Sequence, residues 1–235
     1  MPAALDHLGL PPRARSRHIA WDIGAANLTR ALADRLDATA VLAGYSRLVV
    51  DCNRRLEDPS CFVSLADGDP VPGNRDLTPA AIAERARACY EPYHGAIAAR
   101  LAAARREGQV PALVAIHSFT PVMGGFVRPW HVGVLWDEDG RIPVPLLERL
   151  RAEPGLVVGD NEPYSGRHPA DYTVDRHAGR AGLPHVCLEV RQDELTTPIG
   201  VERWANRLAD ALTPILADDT LYRIRDEHAK QTTGD

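Results

Sequence analysis

Lysine is almost absent from this 235-residue chain, so arginine carries nearly all of its positive charge. There is no lysine cluster or basic stripe, and 27 basic residues against 32 acidic ones leave a net charge of −5, so nothing marks a nucleic-acid partner. No C-x-x-C pair occurs. The four cysteines, Cys52, Cys61, Cys89 and Cys187, are scattered, and with no secretory signal a disulfide framework is not expected. No apolar run reaches the ~20 residues needed to span a bilayer. The opening MPAALDHLGLPPRARSRH lacks the basic-then-apolar order of a signal peptide, and a cytoplasmic protein is the expectation. Internal repeats and low-complexity segments are missing as well. What remains is an ordinary globular composition, 45% hydrophobic and 25% charged, at a length that suits one large α/β domain over 1–235.

The pattern along the chain alternates strands with helices. Residues 22–38 place Ile23, Leu28, Leu32 and Leu36 near one helical face. ATAVLAG and LVVDC read as short strands, and 60–76 reads as a long aperiodic loop rich in Gly, Pro, Asp and Asn. Thr78-Pro79 predicts a helix start, with a hydroxyl cap and proline at the first helical position. That helix should run to about Glu107, with a kink or division at Pro92. ALVAIH, HVGVLW and HVCLEV read as strands, and VMGGFVRP as a loop. Helices are expected at 144–152, at 171–181 and after Thr197-Pro198, where Trp204, Leu208, Leu212 and Leu216 form a core stripe. The alternation predicts an α/β fold, a mixed, mostly parallel sheet with helices on both faces.

In such sheets ligands bind beyond the carboxyl ends of the strands, so polar residues there are the candidates. His117 ends ALVAIH, and is either a satisfied polar residue or a metal ligand. In HVCLEVR, period-two alternation separates Val186, Leu188 and Val190 from His185, Cys187, Glu189 and Arg191. A carboxylate between Leu and Val in a buried strand is costly unless paired or used, so Glu189 is either an arginine's partner or a general base. YSRLVVDCNR supplies Arg47, Asp51, Asn53 and Arg54 within eight residues. Two arginines near a strand end suit an acidic small molecule; the alternative is internal pairing with Asp51. In RHIAWD, His18 and Asp22 stand four apart, and a helix would bring them to one face. DNEPYSGRHP, with Tyr164, is either a solvated loop or the cap of a pocket.

The strings RHIAWDIGA, YSRLVVDCNR, AIHSFTP, GDNEPYSG and RHAGRAGLPHVCLEVRQDEL, in that order from position 17 to about 195, resemble the N-formylglutamate amidohydrolase family. The resemblance implies a zinc carboxypeptidase-like fold and hydrolysis of an N-acyl amino acid, typically N-formylglutamate. It implies zinc held by His117 and, more loosely, Asp22, with His18 a weaker candidate. Glu189 would be the general base. Arg47, Asn53, Arg54 and Arg191 would hold substrate carboxylates, and Tyr164 would lie over the pocket. The implied partner is a small acidic N-acyl amino acid, with no nucleic acid or membrane, and a homo-oligomer is compatible.

Members of the family open with a strand and an Asp/Glu-His-Ala-like motif that gives a metal-binding histidine. MPAALDHLGLPP resembles the stretch that follows that motif and His7 does not match it, so either the true start lies further upstream or one ligand and its neighbouring strand have been lost. A catalytic zinc generally needs three protein ligands. Two rivals to the hydrolase therefore stand: a catalytically degenerate binding protein of the same fold, and a carboxypeptidase-like deacylase with another acyl substrate.

Overall fold

A computed structural model describes residues 3–167 and 172–225. After a short first turn come α1 (Pro12–Arg15), α2 (Ala25–Arg35), a hairpin of β1 (Leu65–Ala66) and β2 (Asp69–Pro70), α3 (Pro79–Arg85) and α4 (Glu91–Arg106). Then follow β3 (Leu113–Phe119), a hairpin of β4 (Val122–Met123) and β5 (Phe126–Val127), β6 (Val132–Leu135) and α5 (Pro143–Arg151). The remainder is β7 (Val158–Asp160), α6 (Tyr172–His177), β8 (His185–Arg191) and α7 (Pro198–Leu216). The main sheet runs β3-β8-β6-β7, with parallel β3/β8 and β6/β7 pairs and one antiparallel pair, β6/β8. The expected mixed, mostly parallel sheet is therefore present. Among the described residues no helix is long and apolar enough to cross a membrane.

Alternation along β8 assigns its two faces. Val186, Leu188 and Val190 join Val132 and Val134 in a core completed by Leu28 and Leu32 of α2, Leu146 and Leu150 of α5, and Trp204, Leu208 and Leu212 of α7. Each such side chain buried completely contributes ~1.5–3 kcal/mol. On the opposite face Cys187 packs with Leu135, Leu113 and Ala115 under Val174 of α6. Helices thus cover both faces. The caps lie where the sequence puts them: the Thr78 hydroxyl accepts from the Ala81 amide and that of Thr197 from the Gly200 amide. The helix is divided just ahead of Pro92, as expected: a π-helical stretch at 86–90 separates α3 from α4, and Pro92 stands in the first turn of α4.

Three sequence expectations give way. ATAVLAG forms no strand. It follows Asp37, whose left-handed backbone (φ 48°) ends α2, and most of its residues stay exposed without a ladder partner. LVVDC is buried but is not a strand either. Side chains serve its backbone instead: Asn74 Nδ2 donates to the Leu48 carbonyl and Arg85 to that of Val49, while the Asp51 amide bonds the Cys61 carbonyl. RHIAWD is a run of turns, so His18 and Asp22 share no helical face. The 60–76 segment is ordered by a 3-10 turn, the β1/β2 hairpin and buried Asn74. VMGGFVRP contains the β4/β5 hairpin. The four cysteines are free, as expected. Asp171, at the start of the expected 171–181 helix, and the His168-Pro169 end of DNEPYSGRHP lie outside the described residues.

Below the sheet, His94 of α4 and His177 of α6 meet at 2.8 Å through Nδ1 and Nε2, with rings stacked at 5.1 Å. Burial, aided by Arg176, pushes both down to about 4; the neighbouring His177 also lowers His94. Tyr90, Tyr93 and Tyr172 enclose His94. The unfolded chain, with histidines near their ordinary ~6.5, binds protons that the folded one refuses. Stability should therefore fall as pH drops from about 6.5 to about 4, and these groups should add nothing further below that. Urea midpoints across this range should show the decline. His94→Gln, with one fewer titrating group, should make it shallower.

Candidate active site

One row of residues crosses all four strands on the α6 face. In register, His117 of β3 pairs with Glu189 of β8, Glu189 with Gly133 of β6, and Gly133 with Gly159 of β7. Residues paired this way in a sheet point to the same side, so His117 and Glu189 are neighbours on one face, as the sequence predicted. Ala115, Cys187 and Leu135 form an apolar layer beneath the row. The two glycines leave a trough into which the Glu162–Pro163 backbone drops: a Cβ on Gly133 would lie 2.0 Å from the Glu162 carbonyl oxygen, and one on Gly159 2.5 Å. Glu189, 7% exposed, sits between imidazole and trough.

Asp22 reaches the row from the turn before α2. That turn is fixed to the end of β3, where Ser118 Oγ donates to the Ile23 carbonyl. Gly24 (φ +81°) lies so close to Leu195 that a Cβ would meet its side chain at 2.4 Å. Asp22 Oδ2 stands 2.7 Å from His117 Nδ1. Burial works to raise the Asp22 carboxyl. The bond and charge of His117, the Arg47 guanidinium and the Ser118 backbone outweigh it and hold the carboxyl below its ordinary value. Asp22 is thus ionised at neutral pH and accepts the proton of Nδ1.

The arginines divide. Arg47 faces Asp22 and Tyr164, but its Nε and one terminal nitrogen both bond Asp51 Oδ2, at 3.0 and 2.6 Å. The internal pairing left open by the sequence is what forms. Asn53 is engaged elsewhere, its Oδ1 accepting from the Thr173 amide of α6. Arg54 donates to the Asn53 carbonyl. Arg191 spends one terminal nitrogen on the carbonyls of Arg128, Pro129 and Trp130 and its Nε on Asp193. The structure therefore brings together Asp22, His117, Glu189, Arg47 and Tyr164, and ties Asn53 and Arg191 into the scaffold. His18 is lowered chiefly by burial; it faces Asp67 at 3.5 Å and feels Arg17, Arg128 and Arg47.

Arg128 is the site residue that sequence reasoning passed over. It lies in FVRPW, which read as loop, and its one signal was a lone cation among apolar residues. The side chain is 7% exposed, lies over the rings of Tyr164 (4.9 Å) and Phe119 (5.7 Å), and donates to the Tyr164 hydroxyl at 3.1 Å. The concavity lined by Arg149, Glu153, Arg203 and Arg207 belongs to the α5–α7 side and contains none of these groups.

Asp22 and His117 are oxygen and nitrogen donors of the kind zinc takes. Their shared proton occupies a contact from which a cation would expel it. Among the described residues no group of three or more His, Cys, Asp or Glu converges. The donor chemistry fits zinc, and the described residues supply two of the three ligands usual for a catalytic site.

A sequence profile described as N-formylglutamate amidohydrolase matches residues 1–196. No curated protein matches the chain. Among solved structures, a gene product of Agrobacterium tumefaciens is similar at 34% identity and a TM-score of 0.88, over 92% of this chain and 85% of that one. An N-formylglutamate amidohydrolase from Ralstonia eutropha shares the fold at a TM-score of 0.60 and 20% identity, over 91% of this chain and 87% of that one.

Proposed function

The chain belongs to the N-formylglutamate amidohydrolase family, and on that footing we propose that it hydrolyses the amide bond of a small acidic N-acyl amino acid, with Glu189 as general base. The observation that carries this reading is the register of β3, β8 and β6, which sets the Glu189 carboxylate directly beside His117 and against the Gly133 trough. Zinc, held by Asp22 and His117, would supply polarisation of the acyl carbonyl and a lowered pKa for water. The chain's own residues do the rest. Glu189 takes the proton of the attacking water and delivers it to the departing nitrogen. Before a cation enters, the 2.7 Å contact with Asp22 orients the His117 ring. The apolar layer of Ala115, Cys187 and Leu135 excludes water from below. We further propose that the sheet with its terminal His and Glu is of the zinc carboxypeptidase-like kind. Because two such donors converge among the described residues, a binding protein of the same fold stands as a second reading.

One preparation tests both. Metal analysis of the purified full chain and a panel of formyl, acetyl and succinyl amino acids should give stoichiometric zinc and turnover of at least one acidic N-acyl substrate. Absence of both after zinc supplementation would establish the binding protein.

A further inference from the structure

Arg128 is buried, and among the described residues no carboxylate stands within ion-pair distance of it. Arg47, Arg141, Arg191 and Arg207, all partly buried, each have a carboxylate within ion-pair distance. Buried Arg85 has none but donates to three oxygens, those of Val49, Gly73 and the Asn74 side chain, at 2.6–3.2 Å. Arg128, as deeply buried, has no carboxylate among the described residues. Its acceptors are the Thr120 carbonyl at 3.4 Å, the Tyr164 hydroxyl at 3.1 Å and the Met123 sulfur at 3.0 Å. A thioether is a weak acceptor. A guanidinium withdrawn from water without a counter-charge is costly, and the cost is relieved when an anion arrives.

Its position says which anion. Phe119, under the guanidinium, is two residues beyond His117 on β3 and so lies on the same face, about 6.6 Å further along the strand. That suits the side-chain carboxylate of an N-acyl glutamate, which extends further from the amide than the α-carboxylate does. Arg47 faces Tyr164 at this end of the site and adds positive potential there. Tyr164, bonded to Arg128, supplies a hydroxyl beside it.

We infer that Arg128, with Tyr164 beside it, is the subsite that receives a carboxylate of the substrate and selects acidic N-acyl amino acids over neutral ones. The substrate class rests on the hydrolase reading; the anion subsite does not. The fork of the guanidinium matches a carboxylate in a two-bond pair, with the Met123 contact given up on binding.

The test compares N-formylglutamate with its diamide, by calorimetric binding and by kinetics, on the wild-type chain, Arg128→Lys and Arg128→Met. The wild type should bind the diacid more tightly. Arg128→Met should weaken diacid binding by about 10–100-fold, the worth of a hydrogen-bonded charge pair, and leave the diamide unchanged. Arg128→Lys, which keeps the charge and loses the fork, should fall between, and it serves if the Met variant does not fold. In kinetics the loss should appear in KM, with kcat little altered. Equal weakening of both ligands, or a diacid preference that survives in Arg128→Met, would overturn the assignment. Diacid-selective binding that depends on Arg128, without hydrolysis of any N-acyl amino acid, would uphold the subsite and remove the hydrolase reading instead.

Discussion

Glu189→Gln is expected to lower hydrolysis of an N-acyl amino acid by about 10²–10⁴-fold, the range typical of a lost general base, while bound zinc stays unchanged. Glutamine has nearly the same shape, so the apolar layer below and the trough beside Gly133 should be undisturbed. What is lost is the ability to accept a proton. Zinc is unaffected because the donors assigned to it are Asp22 and His117, not Glu189. By the same logic Asp22→Asn should reduce bound metal as well as rate, and that separates the two carboxylates by a measurement other than activity.

The competing account makes Glu189 a structural partner inside the protein. Removing one member of a buried charge pair costs ~3–5 kcal/mol, or about 6–20 °C in melting temperature for a chain of this size. On that account the melting temperature falls and the surviving folded fraction keeps its specific activity. On the catalytic account the melting temperature holds and the rate collapses. A stable, zinc-loaded Glu189→Gln protein with full activity would remove Glu189 from the mechanism.

Why His117 and Glu189 were legible in the sequence, and Arg128 was not, is a matter of period. Both former residues interrupt apolar strand runs, and the period of two in β3 and β8 fixes their side of the sheet from the local pattern alone. Their adjacency needed the parallel pairing of two strands some seventy residues apart, which no local pattern contains. Helices with threonine caps and proline at the first position were legible for local reasons. LVVDC misled because burial and β-branched residues describe it truly; what they omit is that Asn74 and Arg85 replace a neighbouring strand as its hydrogen-bond partners. Arg47 and Arg54 stood out by clustering with Asp51, yet that clustering is what pairs Arg47 internally. Arg128 had no polar neighbour in sequence. Its burial comes from Phe119 and Tyr164, contributed by β3 and by the loop after β7.

That loop gives the site its most fragile contact, and Gly133→Ala is expected to damage stability and substrate use together. The methyl group would be placed 2.0 Å from the Glu162 carbonyl oxygen, which is backbone and cannot rotate aside as a long side chain would. Either β6 or the Glu162–Pro163 segment must move. Overpacking of this kind costs ~1–3 kcal/mol, or about 2–12 °C in melting temperature. The segment also carries Tyr164, one residue on, which bonds Arg128, while β6 is the register partner of Glu189. A shift of about 1 Å there should lower kcat/KM by ~10²-fold, since misplacement of that size at a reacting centre has that effect. Gly159→Ala, whose Cβ would lie 2.5 Å from the same oxygen, should act in the same direction. Gly44→Ala, with nothing within 4 Å of its Cβ, should leave both quantities close to wild type and serves as the control. Melting curves and kcat/KM on the three variants decide the point. If Gly133→Ala melts and turns over like Gly44→Ala, the trough does not position the loop, and Tyr164 must be held by Arg128 alone.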